Sequence, residues 1–357
     1  MTQTAHAMDN TTRLREQWEE YRAGNRRAFR YDAARTFGVS EAQLLAIDCG
    51  SGVTRLHGDW QELLNEFHAL GRVMALTRNE FVVHEKKGHY APVSFNGHVG
   101  LVLDEGIDLR LFMAHWAMGF SVHNPESKGL ARSFQFFDAS GHPVHKVFVD
   151  EEGATAFDRL TAKYQAPDQS PWQDVAPAAS RAAERPDADI DVQELRSSWA
   201  NLKDTHDFHP MLKRLEVRRT QACRLVGEAF AVRLLPEVYR DVFTRAAERE
   251  LPIMIFAGND GCIQIHTGPI ARIFEAHGWF NIMDPGFNLH MEQRGIVEAW
   301  LIRKPTKDGV VTSIELFDET GRDIALLFGK RKPGIPELQE WRDLCAELES
   351  SHRPKFN

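Results

Sequence analysis

The feature that most constrains this chain is that its second half repeats its first. SFQFFDASGHPVHKVF (133–148) aligns with SIELFDETGRDIALLF (313–328) at an offset of 180, keeping a serine, a phenylalanine, an aspartate, a glycine and the final phenylalanine. The same offset pairs Leu109 with Leu289, Pro125 with Pro305 and Gly129 with Gly309. Further back, FGVSEAQLLA (37–46) aligns with LEVRRTQACR (215–224) at 178. Two copies imply a pseudo-symmetric molecule; a solenoid needs three or more.

Each copy starts with helical periodicity, in LREQWEEYR (14–22) and VQELRSSWANL (192–202), and then turns to strands. FVVHE, VSFNG, GLVLD, SFQFFD and HKVFVD in the first half are matched to IMIFAG, CIQIHTG, AWLIRKP, SIELFD and IALLFG in the second. Phenylalanine-rich alternation and the tight DASG and DETG turns predict antiparallel hairpins. The expected fold is α+β, an internal duplication of two pseudo-symmetric halves, helices first and antiparallel sheet after. Residues 165–190, with four of the 16 prolines, read as a linker between an N-terminal repeat (1–164) and a C-terminal repeat (191–357).

Composition removes several function classes. A net charge of −8 argues against a general binder of nucleic acid or anionic membranes. Cys49, Cys223, Cys262 and Cys345 are far apart and form no CxxC pair, so neither a disulfide framework nor a thiolate metal site is expected. Reduced thiols, together with a polar N-terminus unlike a signal peptide, point to the cytoplasm. No stretch approaches the roughly 20 apolar residues of a membrane span.

DTHDFHPMLKRL (204–215) is the stretch with the most chemistry in it. Phe208, Met211, Leu212 and Leu215 make one helix face; His206 lies opposite, with His209 about 60° from it. Pro210 fits only a first turn, so the helix should begin near 206 or 207 with Thr205 or Asp207 as cap. The positive end of the helix dipole favours neutral imidazole at His206, the form that binds metal. Three readings stay open: a capping or solvated histidine, a zinc pair lacking evident further ligands, or an axial heme ligand, which needs no second protein ligand at fixed spacing. The repeat puts Ala28 where His206 stands and His290 where Arg110 stands, so the copies diverged at these positions.

Another class of function competes. AARTFGVSEAQLLA (33–46) has the look of a helix-turn-helix bending at Gly38 and Val39, and its counterpart, 211–225, carries Lys213, Arg214, Arg218, Arg219 and Arg224. A DNA-binding regulator would use such a helix. The acidic balance makes DNA an unfavoured partner.

The motifs LRxxW, DTHDF (204–208), RRTQA (218–222), IHTGP (265–269), NLHM (288–291), WLIRKPTKDGVVTSIELFD (300–318) and FGKRKPG (328–334), with GVSEAQLLA (38–46) and IDLRLF (107–112), occur in one order over nearly the whole length. In these the chain resembles the bacterial hemin-degrading and cytoplasmic heme-trafficking proteins of the HemS/ChuS/PhuS/HmuS type. The resemblance implies one heme in a cleft between the halves. His206 matches the proximal iron ligand, with His209 as the alternative. Arg110 matches the distal arginine, the candidate catalytic group. Arg219, Lys304 and Arg331 match basic residues near the propionates, and Phe112 an aromatic packed on the ring. The implied role is heme carriage, or heme degradation by an enzyme oxygenase-like in activity and unrelated to the helical heme oxygenases. The implied partners are a heme acceptor such as a heme oxygenase, an electron donor and the heme importer. The binding residues do not separate carrier from enzyme.

Overall fold

The structure is a computed structural model, and it describes residues 2–25, 28–125, 130–332 and 334–355. Gly129, paired above with Gly309, and Pro333, within FGKRKPG, lie outside the described residues. By contacts the chain divides into a first unit, Met1–Arg78, Glu85–Ser180 and Asn259–Gln264, and a second unit, Asn79–His84, Arg181–Gly258 and Ile265–Asn357.

The N-terminal repeat supplies helices α1 (Thr2–Gly24), α2 (Arg30–Phe37), α3 (Glu41–Ala46), α4 (Trp60–Asn65) and α5 (Ala154–Tyr164). Its strands are β1 (Val53–Leu56), β2 (Arg72–Arg78), β3 (Val82–His89), β4 (Ser94–Asn96), β5 (Val99–Leu103), β6 (Asp108–Phe112), β7 (Met118–His123), β8 (Arg132–Phe137) and β9 (Pro143–Val149). The C-terminal repeat supplies α6 (Val192–Ala200), α7 (Phe208–Arg214), α8 (Arg219–Val226), α9 (Val238–Glu248) and α10 (Gln339–His352). Its strands are β10 (Ala231–Leu234), β11 (Ile253–Asn259), β12 (Cys262–Gly268), β13 (Ile273–Ala276), β14 (Trp279–Asp284), β15 (Phe287–Glu292), β16 (Glu298–Thr306), β17 (Gly309–Phe317) and β18 (Asp323–Gly329).

The duplication is legible in strand order. In the first unit β1-β7-β8-β9-β2 form one antiparallel run and β4-β5-β6 another. In the second, β10-β16-β17-β18-β11 and β13-β14-β15 repeat them. This is the expected α+β class. The strand correspondence expected from sequence needs a correction, however: FVVHE belongs to β3, whose counterpart is CIQIHTG in β12, while IMIFAG in β11 answers to β2. The apolar runs of β2 and β11 are alike in composition but not in residue identity, so pattern matching slipped by one strand. AWLIRKP in β16 likewise answers to β7, not to GLVLD.

Local chemistry repeats with the topology. In the DASG turn, Asp138 Oδ1 accepts hydrogen bonds from the Ser140 and His142 backbone N–H groups, both at 2.9 Å, and Gly141 takes a φ of 81°. In the DETG turn, Asp318 Oδ1 accepts from Thr320 N–H at 2.8 Å and Arg322 N–H at 3.0 Å, and Gly321 takes a φ of 71°. The Arg of each LRxxW motif ties its helix to a neighbouring helix end: Arg15 donates to the Ile47 carbonyl and Arg196 to the Val226 carbonyl.

Each unit is held by its own core. In the first, Phe67, Phe134, Phe136, Leu109 and Leu111 are fully buried between strands, α4 and α5. In the second, Trp199, Phe208, Ile302 and Phe317 pack under α6, α7 and α8, while Phe243, Leu316, Leu327 and Trp341 pack under α9 and α10. β17 is thus buried on both faces from Val311 to Phe317, and its run SIELF is apolar except at Ser313 and Glu315.

The proline-rich 165–190 stretch is docked, not free. Arg55 donates to the Ser170 carbonyl at 2.8 Å and the Trp172 carbonyl at 2.6 Å, while Gln221 donates to the Arg185 carbonyl at 2.7 Å. The predicted helix-turn-helix segments are helical hairpins. Gly38, left-handed at φ 70°, ends α2, and Ser40 caps α3 in a capping box with Gln43. Five of the six residues of α3 are buried, so it offers no face for reading DNA.

Candidate functional site

The 204–208 turn is built by its two aspartates. Asp204 caps a 3-10 turn, Thr205–Asp207, that runs into α7, and the Asp207 carboxylate returns a bond to the Asp204 backbone N–H at 3.0 Å. Asp207 stands at the N-cap position of α7, one of the two caps that the proline position suggested, but its side chain makes no capping bond there; the side-chain cap is that of Asp204 on the preceding 3-10 turn, and Pro210 lies in the first α-helical turn. Phe208, Met211 and Leu212 are buried as the periodicity implied, and His206 and His209 are exposed.

His206 is held in place and left open. Its Nδ1 lies 2.6 Å from Asp204 Oδ1, and that oxygen also accepts from the His206 backbone N–H at 3.0 Å. The ring is 87% exposed. The backbone bond from His206, and then its ring, hold the Asp204 carboxyl below the usual carboxylate range. A carboxylate on Nδ1 fixes the tautomer and turns Nε2 into the ring's metal-binding atom. Among the described residues no group of three or more His, Cys, Asp and Glu side chains could hold a metal ion, so a zinc pair lacks its further ligands.

Two of the expected basic residues meet on one carboxylate. Arg219 donates from Nε and Nη2 to Glu315 at 2.5 and 2.7 Å, and Lys304 Nζ donates to the same residue at 2.8 Å. Glu315 is wholly buried, Lys304 is 3% exposed and Arg219 is 20% exposed. Burial alone would push the Glu315 carboxyl up; the two cations overcome this and hold it at about 2. Two positive groups against one negative leave a net positive charge, and Arg219 is the member that reaches solvent. Phe208 joins this cluster to the His206 turn: Lys304 Nζ lies 4.6 Å and the Arg219 guanidinium 5.1 Å from its ring centre.

Arg331 is placed against Asp308 at 3.9 Å, both mostly buried. In the first unit, Asp108, Arg110 and Phe112 line the half-buried face of β6, while Leu109 and Leu111 enter the core. Arg110 is ion-paired with Asp108 and donates to the Leu109 carbonyl at 3.2 Å. The counterpart position in β15 holds His290, whose Nδ1 lies 2.7 Å from Asn281 Oδ1. Asp204 and Glu315 escaped the sequence reading. The signals were a D-x-x-D capping pattern around His206 and a glutamate in the middle of the apolar run SIELF, where the first copy has Gln135.

Similarity to known proteins points the same way. A family model described as the haemin-degrading HemS/ChuX domain matches residues 38–164 and again 216–348, two stretches whose starts are separated by the 178 residues of the internal offset. The hemin transport protein HmuS of Yersinia pestis is 37% identical over 337 residues, covering 94% of this chain and 97% of that protein. The holo form of PhuS, a heme-binding protein from Pseudomonas aeruginosa, superposes with a TM-score of 0.92 at 44% identity, covering 95% of this chain and 99% of that one. The heme-degrading enzyme ChuS of Escherichia coli O157:H7 gives 0.87 at 33% identity, with coverage of 95% and 99%.

Proposed function

The chain belongs to the haemin-degrading HemS/ChuX domain family, and from that premise we propose that it is a heme-binding protein of heme uptake and utilisation whose iron ligand is His206. The observation that carries this reading is the Asp204–His206 pair: an exposed imidazole with its Nδ1 held by a carboxylate. Histidines that bind metals are oriented in this way, and a carboxylate on the distant nitrogen raises ligand basicity. Heme is the cargo or substrate here, and its iron supplies the open coordination position at which a small ligand could bind.

The remaining residues take roles that suit heme chemistry. Two propionates call for charge-assisted partners, and the net positive Arg219–Lys304–Glu315 cluster beside Phe208 supplies charge next to the ligand turn. Arg331 is a further propionate partner. Phe112 offers a flat apolar surface for the macrocycle. Arg110 supplies a guanidinium for an anionic iron ligand, with His209 able to replace His206 when heme is handed on. Among the described residues no helix is long and apolar enough to cross a membrane. Free thiols at all four cysteines suit a cytoplasmic protein.

The protein passes heme to an acceptor, degrades it to release iron, or does both. Titration of the purified chain with hemin tests the binding claim: a saturable Soret shift at one equivalent supports it, and a non-saturable shift sinks it. Adding reductant to the loaded protein under air then separates the two roles, since a carrier keeps its Soret band and a degrading enzyme loses it.

A further inference from the structure

We propose that the outer edge of β10, in the second unit, takes an extended, glutamine-bearing peptide segment of another protein as a further strand. The reading goes beyond heme binding and does not depend on it. The internal repeat supplies the pattern. Arg55 in β1 answers to Arg233 in β10 at the offset of 178, and their partners across the ladder, Phe120 and Trp300, are 180 apart. At β1 the His123 N–H donates to the Gly52 carbonyl at 2.7 Å, and at β10 the Arg303 N–H donates to the Phe230 carbonyl at 2.7 Å. Bonding alternates along an antiparallel pair, so in both strands the N–H and C=O of the arginine point away from the ladder.

In the first unit that edge is filled. After α5 the His57 N–H meets the Tyr164 carbonyl at 2.9 Å, and two residues on the Ala166 N–H donates to the Arg55 carbonyl at 2.9 Å. The Gln169 amide closes on both backbone groups of Arg55, accepting from its N–H and donating to its carbonyl, each at 2.9 Å. The Arg55 guanidinium gathers the Asp168, Ser170 and Trp172 carbonyls at 3.2, 2.8 and 2.6 Å.

In the second unit the same edge starts alike and stops. After α10 the Leu235 N–H meets the His352 carbonyl at 2.8 Å, but two residues on stands Pro354, which has no N–H to give. Among the described residues nothing pairs with the outward N–H and C=O of Arg233. Its side chain is 55% exposed and lies 3.9 Å from Glu298. An edge strand with open backbone groups templates another strand. The filled copy specifies the occupant: an extended backbone donor, a side-chain amide three residues later, and carbonyls within reach of the guanidinium. Pairing of two β10 edges would bring Arg233 alongside its own copy, so like charges disfavour a second copy there.

The test titrates the full chain with a fluorophore-labelled synthetic peptide of residues 165–173, QAPDQSPWQ, and reads anisotropy. The chain's own copy of this segment holds β1 at high effective concentration, so the added peptide should bind one equivalent at β10. Arg233→Ala, which keeps the N–H, should weaken binding by roughly tenfold. Arg233→Pro also removes the N–H, leaves the β10–β16 bonds in place and should weaken binding further. A peptide with alanine for the glutamine that matches Gln169 should bind less tightly. Peptide should slow amide hydrogen exchange at Arg233 and not at Arg55. No saturable binding, binding indifferent to both Arg233 variants, or slowing at Arg55 alone overturns the proposal. So does a dimer of the chain that Arg233→Pro dissociates, since a second copy would then be the occupant.

Discussion

Asp204 holds His206 twice through a single oxygen, which accepts the backbone N–H at 3.0 Å and lies 2.6 Å from ring Nδ1. The cap of the 3-10 turn that leads into α7 is therefore also the group that aims the imidazole. Asp204→Asn keeps a capping oxygen but removes the negative charge behind the ring. Hemin affinity should fall by roughly 10- to 100-fold, the usual effect of losing such a partner. Circular dichroism should stay unchanged, and a hemin dissociation rate equal to wild type would show that the pair has no part in ligation.

Arg110 is paired with Asp108 on the half-buried face of β6. If it serves an anionic iron ligand and not heme itself, Arg110→Ala should leave hemin affinity within about threefold. It should weaken added azide on the ferric protein by roughly tenfold. Equal azide affinity in both proteins would remove Arg110 from that role.

Glu315 lies wholly buried between Arg219 and Lys304, its carboxyl held at about 2 against an ordinary 4.5. A carboxyl depressed by folding stabilises the folded chain above its unfolded value. That contribution is lost as pH falls from about 4.5 toward 2. Glu315→Gln should flatten urea stability over that window and cost about 3–5 kcal/mol at neutral pH, because buried Lys304 and half-buried Arg219 lose their anion. An unchanged acid profile would contradict this.

His145 is a second acid-sensitive group. It is buried beside Thr77, whose hydroxyl lies 2.9 Å from His145 Nδ1 and donates to Gln264 at 2.8 Å. Burial pushes the imidazole from 6.5 down to about 3, so the unfolded chain takes up a proton there that the folded chain refuses. Stability should fall as pH drops from 6.5 toward 3, by at most about 1.4 kcal/mol per pH unit from this group. His145→Leu leaves Thr77 bonded to Gln264 and should abolish that slope; an identical slope in the variant would exclude His145 as its source.

How much of this was legible in the sequence follows from the range of the interactions. The duplication, the DASG and DETG turns and the apolar face of Phe208, Met211 and Leu212 are local patterns, and all three stand in the structure. The correspondence of β2 with β11 was not legible, because buried strands are read by composition and one apolar run resembles the next. Docking of the 165–190 stretch depends on Arg55, more than a hundred residues away, and composition alone made that stretch a linker. For the candidate site, His206 stood out by its motif and by the divergence from Ala28. The meeting of Arg219 and Lys304 on Glu315 joins a helix start to two strands, so no spacing in the sequence announces it.

The measurement that bears most directly on the central claim is a hemin titration of His206→Ala beside the wild type, with and without added imidazole. Wild type should give a saturable one-equivalent Soret shift. The variant should bind weakly or with an altered iron spectrum, and imidazole should restore the wild-type spectrum by filling the vacated ligand position. A variant whose affinity and spectrum match the wild type would contradict ligation by His206, and His209→Ala would then be the substitution that decides the ligand.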